Sequence, residues 1–426
     1  MDIYALIVPA TLLLLILEIL YDYFKKDSKL YNFQDTFSNL GTGIGNQCIN
    51  IAVVVFIVQK FYPWVQQFAP WQIENTWYNV IILLLLSDFV FYWFHRVGHN
   101  VNVFWAAHMP HHSSEEFNLS VAMRSSFTQR TFQFLFFDWI LVLAGFPPNM
   151  VYMVAGIHLF IAFWHHTKII KSMGWFQKIF VSPSHHRVHH GVNAQYMDKN
   201  FSEFLIIWDK MFGTYEPEVE EVCYGLTHPP RTWDPIFINI QFWKQLVEDA
   251  IAAPHFIDKF RIWFMPTGWR PRGLDPHPPK EEIAYTLKEQ TKFHSMQFKG
   301  LKPYLIIQII IAIPFLYLII GLELGDKIGI TNMHRVIMSV GIFAMIIAWA
   351  GMMEAKKWSN FAEIFRLLFM GIALVYILSS IQVFGLTSYP AILTAIFVGV
   401  SILFVSFRFK QSQLEGTRFV VPAGLK

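Results

Sequence analysis

The hydrophobic positions of this chain gather into long runs separated by shorter polar stretches. A helix that crosses a membrane needs about 20 mostly apolar residues. The runs that approach or reach this length are 3–24, 43–62, 78–94, 132–145, 150–164, 303–322, 335–353, 361–383 and 391–407. The two short runs around the Pro147-Pro148 turn leave a tilted or re-entrant hairpin open as an alternative to two crossings. The pattern predicts an all-α, multi-pass membrane helical bundle.

A polar stretch at about 168–300 interrupts these runs and suggests two modules. We expect residues 1–300 to form a catalytic membrane domain whose helical cap is residues 168–300, and residues 301–426 to form a C-terminal transmembrane helical module. Lys and Arg concentrate in alternate connecting segments, which marks those segments as cytoplasmic. The cap then lies on the cytoplasmic face of the plasma or inner membrane in a bacterium, or of the endoplasmic reticulum in a eukaryote.

Composition agrees with a membrane location and narrows the chemistry. Charged residues are 15% of the chain and hydrophobic residues 54%, whereas soluble domains carry about 25% charged residues. The net charge of +3 and the lack of a basic tract argue against a nucleic-acid partner. With only two cysteines, Cys48 and Cys223, no disulfide framework or thiolate site is expected. Any metal must therefore be bound by histidine and carboxylate.

Histidines cluster where apolar runs give way to polar sequence. The three clusters are His95 and His99, then His108, His111 and His112, then His186, His189 and His190. Spacings of three and four place side chains on one face of a helix, and neutral imidazole is the commonest side-chain metal ligand. Eight donors exceed what one centre can use, so the clusters predict two metal ions with open positions for O2 or water. Ligand type leaves the choice among Fe, Zn, Cu and Ni open.

Other polar residues near the clusters are candidates for supporting roles. Asp88 precedes His95 by two helical turns inside an apolar run, and we expect it to accept a hydrogen bond from a ligand histidine. His166 ends the run at 150–164 and is a candidate ninth ligand. His158, His165 and His185 remain open between structural and site roles.

The motif set His-x3-His, His-x2-His-His, His-x2-His-His resembles that of the fatty acid hydroxylase / sterol desaturase superfamily of integral membrane oxygenases. Flanking segments narrow the resemblance to its alkylglycerol monooxygenase branch, over roughly residues 87–230. These segments are 104–108, 113–118, 182–191, 198–200, 207–215 and 224–229.

The resemblance implies a di-iron centre held by the eight clustered histidines. It implies a lipid substrate within the bilayer, O2, and an electron donor that is a reduced pterin (tetrahydrobiopterin) or a redox protein. The reaction implied is hydroxylation of the carbon next to the ether oxygen of a glyceryl ether, which then releases a fatty aldehyde. The branch has a catalytic Glu directly after the second histidine, where this chain has Asn100. A neutral amide cannot act as a carboxylate base or anionic ligand.

Two alternatives remain at this stage. One is a sterol, carotenoid or fatty acyl hydroxylase or desaturase of the same superfamily. The other is a carrier of metal or haem without enzymatic activity. A transporter would place polar groups along a path through the bilayer midplane, whereas these histidines gather at the ends of the apolar runs.

Overall fold

Helices form the regular structure of this protein in a computed structural model that describes residues 3–25, 29–275, 290–295, 300–320, 326–380, 394, 396–403 and 405–406. In these ranges isolated β-bridges occur but no strand does, so the all-α prediction is confirmed. The helices are α1 (Ile3–Phe24), α2 (Phe33–Val53), α3 (Tyr62–Gln66), α4 (Trp77–Asn100), α5 (Asn102–His112), α6 (Gln129–Gln133), α7 (Trp139–Leu143), α8 (Pro148–Trp164), α9 (Pro183–His189), α10 (Ile207–Phe212), α11 (Pro235–Ala252), α12 (Phe256–Arg261), α13 (Leu301–Ile320), α14 (Asn332–Met353) and α15 (Ser359–Ser380).

Within the described residues, five helices are long and apolar enough to cross a membrane, which confirms a multi-pass membrane protein. They cover Ile7–Phe24, Phe33–Gln66, Trp77–Asn100, Asn332–Met353 and Ser359–Ser380. Shorter apolar helices lie at Pro148–Trp164 and Leu301–Tyr317. The ninth predicted run, 391–407, lies partly outside the described residues.

Two of the predicted runs differ in form from a single regular helix. The run at 43–62 belongs to a longer helix, Phe33–Gln66, whose α-helical parts α2 and α3 are joined by the π-helical segment Val54–Phe61. The run at 132–145 is interrupted in the same way, because the π-helical turn Phe134–Asp138 separates α6 from α7. Hydropathy does not register such interruptions, since a π turn changes the hydrogen-bond pattern without changing composition.

The apolar core of the first membrane region forms where the Phe33–Gln66 helix, α4, α7 and α8 pack together. Tyr62, Leu83, Val142 and Val154 are each fully buried there. The Tyr62 hydroxyl donates a hydrogen bond of 3.1 Å to the carbonyl oxygen of Phe134, so even the polar tip of this ring is satisfied. This core holds α4 in place, and α4 carries the first histidines.

The chain divides into two compact units, Met1–Phe293 and His294–Lys426. The second unit contains α13, α14 and α15, with a buried polar cluster among the membrane helices. Its members are Tyr304, Gln308, Glu363 and Arg366, in which the Glu363 carboxylate accepts hydrogen bonds from Tyr304 and Arg366. The Arg366 guanidinium also donates to Gln308 Oε1 at 3.1 Å. The pairing lowers the cost of burying charge in an apolar environment.

The first unit continues past α4 into shorter helices that surround the histidines. The chain turns at Val101 into α5, and the backbone N–H of Asn102 donates to the Met265 carbonyl at 3.0 Å. The Asn102 side chain also donates to the Ile262 carbonyl at 2.8 Å. Ile262, Ala106 of α5 and Leu246 of α11 are buried together. These contacts fix α5 and α11 side by side at the end of α4.

Candidate metal centre

The first histidine group forms where α4, α5 and α9 meet. His95 Nε2 lies 3.0 Å from His108 Nε2, and His112 Nε2 lies 2.9 Å from the same atom. One ring nitrogen from each member lies within 4.8 Å of those of all the others. Group one consists of five buried histidines: His95, His99, His108, His112 and His189.

The second group joins α5 and α9 to the residues that follow α8. His186 Nε2 lies 2.9 Å from His166 Nε2, which in turn lies 3.3 Å from His111 Nε2. His190 Nε2 lies 3.2 Å from His186 Nε2. Group two consists of His111, His166, His186 and His190, again with one nitrogen from each within 4.8 Å of the others. The structure thus brings together all nine histidines singled out from the sequence.

The spacing places each cluster on one side of its helix, but the structure divides two of the clusters between the two groups. His108 and His112, four residues apart, share group one, while His111 between them belongs to group two. The α9 cluster mirrors this, because His186 and His190 share group two while His189 belongs to group one. Each residue of an α-helix is rotated by about 100° from the one before it, so adjacent histidines diverge. Two helices thereby contribute to both groups.

The separations between ring nitrogens suit metal coordination. Two metal–imidazole bonds of about 2.1 Å that meet at a right angle place their nitrogens about 3.0 Å apart. The observed Nε2···Nε2 separations of 2.9–3.3 Å match this value. In addition, His189 Nε2 is buried and has no hydrogen-bond partner in the part of the chain that is described. Buried polar atoms are rarely left so, and an all-imidazole donor set fits transition-metal ions such as iron.

The other ring nitrogen of several histidines is held by the backbone. His95 Nδ1 bonds to the Phe201 carbonyl at 2.7 Å, and His189 Nδ1 to the Lys199 carbonyl at 3.0 Å. His166 Nδ1 bonds to the carbonyl of Ala162 at 2.9 Å. A carbonyl can only accept, so each of these rings carries its proton on Nδ1 and directs the Nε2 lone pair into the group.

His99 differs in having a carboxylate at this position. Its Nδ1 lies 3.4 Å from Asp198 Oδ1, and the Asp198 side chain is 32% exposed. Asp198 and Asn200 both adopt left-handed backbone conformations, with φ of 58° and 53°. Asp and Asn tolerate this region better than other non-glycine residues. The bend directs the carbonyls of this segment toward the histidines.

Two buried acids anchor the segment that supplies those carbonyls. Asp209 accepts hydrogen bonds of 2.8 Å from the backbone N–H groups of Phe201 and Ser202, and one of 2.7 Å from Thr214 Oγ1. Asp88 accepts from the backbone N–H of Phe204 at 2.9 Å, among others. Sequence reasoning did not assign a role to Asp209; its only signal was its place in one of the flanking segments.

The predicted role of Asp88 changes as a result. Its oxygens accept from Phe204 N, Leu205 N and Trp208 Nε1, at 2.9, 2.9 and 2.8 Å, and no imidazole is among these partners. The expected direct hydrogen bond to a histidine ring is therefore wrong for the described contacts. Asp88 instead acts on the site through the backbone of residues 201–205, because the Phe201 carbonyl in that segment orients His95.

Asn100 is exposed and lies outside both histidine groups. Its Nδ2 donates a hydrogen bond of 2.7 Å to the Arg96 carbonyl, one turn back on α4. The side chain therefore completes the end of the helix. A catalytic contribution from Asn100 finds no support in this geometry.

The histidines left open by the sequence also lie outside both groups. His165 packs on Trp164, with ring centroids 4.4 Å apart, and His185 on Tyr215 at 5.6 Å. His158 Nδ1 pairs with Glu203 Oε2 at 2.9 Å. A carboxylate thus satisfies His158, whereas ring packing positions His165 and His185, whose Nδ1 atoms are buried without a hydrogen-bond partner among the described residues.

Burial keeps the clustered imidazoles neutral. Loss of solvent, reinforced by neighbouring imidazoles, lowers the pKa of His108, His112 and His189 well below the ordinary value. Burial likewise lowers the pKa of His111 to about 4. At neutral pH the rings are therefore uncharged, each with one ring nitrogen free of a proton, which is the form that binds metal.

A cavity of about 300 Å³ adjoins group one. His99, His112 and His189 form part of its wall, and Trp105 packs on His99 with ring centroids 5.0 Å apart. The side of α11 facing these histidines supplies much of the rest of the lining: Gln241, Phe242, Gln245, Leu246 and Asp249. A mainly apolar cavity with a few polar groups beside a metal-binding cluster is typical of a substrate site.

Residues 80–214, which include every histidine of both groups, match the family model described as Fatty acid hydroxylase. The chain is also 35% identical to human alkylglycerol monooxygenase over 314 residues, or 72% of this chain and 68% of the human protein. This chain belongs to the alkylglycerol monooxygenase family. Members of this family are membrane lipid monooxygenases that use O2, so the alternative of a non-enzymatic carrier is not supported.

Other relatives agree with this assignment. Alkylglycerol monooxygenase of Xenopus tropicalis is 38% identical over 263 residues, which cover 61% of this chain and 58% of that protein. The ornithine lipid hydroxylase OlsE of Rhizobium tropici is 27% identical over 152 residues, covering 35% and 46%. No solved structure matches the chain. The family and the histidine groups together indicate iron binding.

Proposed function

We propose that this protein oxidises glyceryl ethers at the carbon next to the ether oxygen. One oxygen atom of O2 enters the C–H bond and the other leaves as water, with two electrons and two protons supplied by the donor. The resulting hemiacetal collapses to a fatty aldehyde and the free glycerol hydroxyl. The observation that carries this proposal is a cavity that opens on group one, in a chain related to alkylglycerol monooxygenases.

We further propose that two iron ions bind, one to each histidine group. His95, His99, His108, His112 and His189 would hold one ion, and His111, His166, His186 and His190 the other. Bound iron would supply the activation of O2 that side chains alone cannot provide.

The residues of this chain would orient the site and keep it dry. The carbonyls of Phe201 and Lys199 fix the rings of His95 and His189. Trp105 covers His99 and His112, with ring centroids at 5.0 and 5.6 Å, and so limits the access of water. Excluding water protects reactive oxidants from side reactions.

The cavity lining suits a lipid with a small polar head. The amides of Gln241 and Gln245 and the hydroxyl of Thr227 offer donors and acceptors to glycerol hydroxyls. Phe242 and Leu246 supply apolar surface for the first part of an alkyl chain. This arrangement favours a glyceryl ether over a rigid sterol.

Asp198 is proposed as the carboxylate that serves group one in place of the family Glu at position 100. It lies 3.4 Å from His99 Nδ1 and lines the cavity. A carboxylate at this point raises the basicity of the ligand ring.

Three further assignments complete the proposal. The electron donor is a reduced pterin such as tetrahydrobiopterin, or a redox protein. The histidine groups face the cytoplasm, as the Lys and Arg distribution indicates. Residues 1–300 carry the chemistry, with the cap at about 168–300, and residues 301–426 serve as a membrane helical module.

The test uses the full chain in membranes supplied with an alkylglycerol, with and without reduced pterin. We expect aldehyde to appear with the pterin, and wild-type protein to contain about two irons per chain. His111→Ala should lose iron and turnover, while His255→Ala, at an exposed position, should keep both. Turnover by protein that contains no iron would contradict the proposed oxygenase centre. Bound iron without aldehyde formation would contradict the ether substrate and favour an acyl or sterol lipid instead.

A further inference from the structure

Helix α11 has two faces of different character. One face lines the cavity beside group one, through Gln241, Gln245 and Leu246. The opposite face exposes apolar side chains at spacings that follow the helical repeat. Ile240 is 49% exposed, and Ile251 is 72% exposed. The exposed apolar stripe of α11 is Phe237, Ile240, Val247 and Ile251.

The next helix extends this exposed apolar surface. Large hydrophobic side chains on and just after α12 are 60–72% exposed: Phe256, Ile257, Phe260 and Phe264. Between them, Asp258 and Ile262 are fully buried, so α12 is held by one face while its apolar face lies open. Lys259 Nζ fastens α12 to α11 by donating to the Ile251 carbonyl at 2.7 Å. The stripe of α11 and these four side chains are called the α11–α12 face.

The helix that carries this surface joins the surface of the membrane helices. Trp243 of α11 contacts Phe132, with ring centroids 5.8 Å apart, and Phe132 contacts Phe136 at 5.3 Å. Phe136 is 49% exposed. Its near neighbour Phe134 is buried in the core formed with the membrane-crossing Phe33–Gln66 helix. An aromatic chain therefore connects α11 to the segment 129–143, which packs against the membrane-crossing helices.

Charged side chains lie within and beside the α11–α12 face. On α11, Lys244 falls at the spacing of the stripe itself, between Ile240 and Val247, and forms an exposed pair with Glu248 at 3.4 Å. The Arg261 and Arg272 side chains, 46% and 60% exposed, pair with the buried carboxylate of Asp258. Long basic side chains at the edge of an apolar patch can reach toward lipid headgroups while their stems remain in apolar surroundings. A contiguous surface of exposed apolar side chains typically marks a site that binds a membrane or another protein.

We propose that the α11–α12 face is inserted into the headgroup and acyl-chain boundary of the bilayer. Helices with such a face lie in the plane of the membrane, roughly 5–10 Å into this boundary. The occupant is the lipid surface itself, because α11 contacts the segment 129–143, and that segment packs directly on the membrane-crossing helices. Helix α11 then forms the wall between the bilayer and the cavity beside group one.

The experiment measures the surroundings of single nitroxide labels on the full chain in phospholipid nanodiscs. The labels are placed at Ile251→Cys and Phe260→Cys. The matched control is Val219→Cys, also an apolar residue at 71% exposure, but flanked by the acidic residues Glu218 and Glu220. The parent chain provides the labelling background, since Cys48 and Cys223 are both buried.

Insertion predicts that labels at 251 and 260 collide more often with O2, which concentrates in lipid, than with a water-soluble nickel chelate. The label at 219 should show the reverse preference. Preference for the nickel chelate at all positions would overturn the proposal. Suppressed collisions with both reagents, together with spin–spin broadening that disappears on dilution with unlabelled protein, would also overturn it and indicate a second copy as the occupant. Phe264→Cys replaces either variant if the labelled protein does not retain the parent unfolding temperature.

Discussion

The imidazole rings of His112 and His190 stack with centroids 4.4 Å apart and planes inclined by 25°, although the two residues belong to different histidine groups. The two groups are therefore in direct contact through these rings. The residues that would hold the proposed ions are therefore direct neighbours across the boundary of the two groups.

Replacement of His166 tests whether group two binds metal. His166→Ala removes a nitrogen that lies 2.9 Å from His186 Nε2, so we expect iron to fall from about two ions to about one per chain, with loss of turnover. The adjacent residue provides a matched control. His165 is equally buried but lies outside both groups, so His165→Ala should keep its iron even if it melts at a lower temperature. Equal iron loss in both variants would contradict the assignment of His166.

Asp88→Asn should weaken the centre without touching a histidine. The amide places an N–H2 opposite a backbone or indole donor at residues 204–208, so a hydrogen bond is lost and a repulsive contact is gained. We expect the free energy of unfolding to fall by about 2 kcal/mol and iron affinity to fall by about 10- to 100-fold. Thermal unfolding and anaerobic Fe(II) titration measure the two effects. Glu220→Gln, on an exposed loop, should change neither quantity. Unaltered iron affinity in Asp88→Asn would contradict the role of Asp88 in orienting His95 through the backbone of residues 201–205.

Carboxylates at positions 100 and 198 should have opposite consequences. Asn100→Glu introduces the carboxylate that the family resemblance implies at this position. The position is exposed and lies at the C-terminal end of α4, where an anion costs about 0.3–1 kcal/mol. We expect no gain in turnover. Asp198→Asn should lower turnover or iron affinity by about 10- to 100-fold, because its carboxylate lies against His99. A marked gain in Asn100→Glu, with Asp198→Asn unchanged, would reverse this assignment.

Removal of iron should lower stability in a reversible way. An ion present at 100 times its dissociation constant stabilises the folded state by about 2.7 kcal/mol. Chelation under anaerobic conditions should therefore reduce the unfolding temperature, and added Fe(II) should restore it. Ca²⁺ prefers oxygen ligands and should not restore it. Restoration by Ca²⁺ would argue against an imidazole centre.

Much of this arrangement could be predicted from the sequence, for identifiable reasons. Runs of apolar residues determine membrane helices because the bilayer demands internal hydrogen bonding over a fixed thickness. Spacings of three and four identified the eight clustered histidines, since residues so spaced lie on one side of a helix. His166 was identified by its place at the end of the run at 150–164.

The partition of those histidines could not be predicted. Whether His111 turns toward one centre or the other depends on what packs beside α5, and His166 arrives there from 55 positions along the chain. The groups that orient the histidines could not be predicted from the sequence either. The carbonyls of Lys199 and Phe201 carry no side-chain signature, and only the fold shows that Asp88 and Asp209 hold them in place.

His111 and His189 each belong to a different group from their neighbours in sequence, and this has a consequence for how the enzyme binds its metal ions. Both α5 and α9 supply ligands to the two groups, so ordering these helices around an ion in group one also positions three of the four histidines of group two: His111, His186 and His190. The first ion thus carries most of the conformational entropy cost of building the second cage. Uptake should be cooperative, with apo and fully loaded chains predominating over half-loaded ones during assembly.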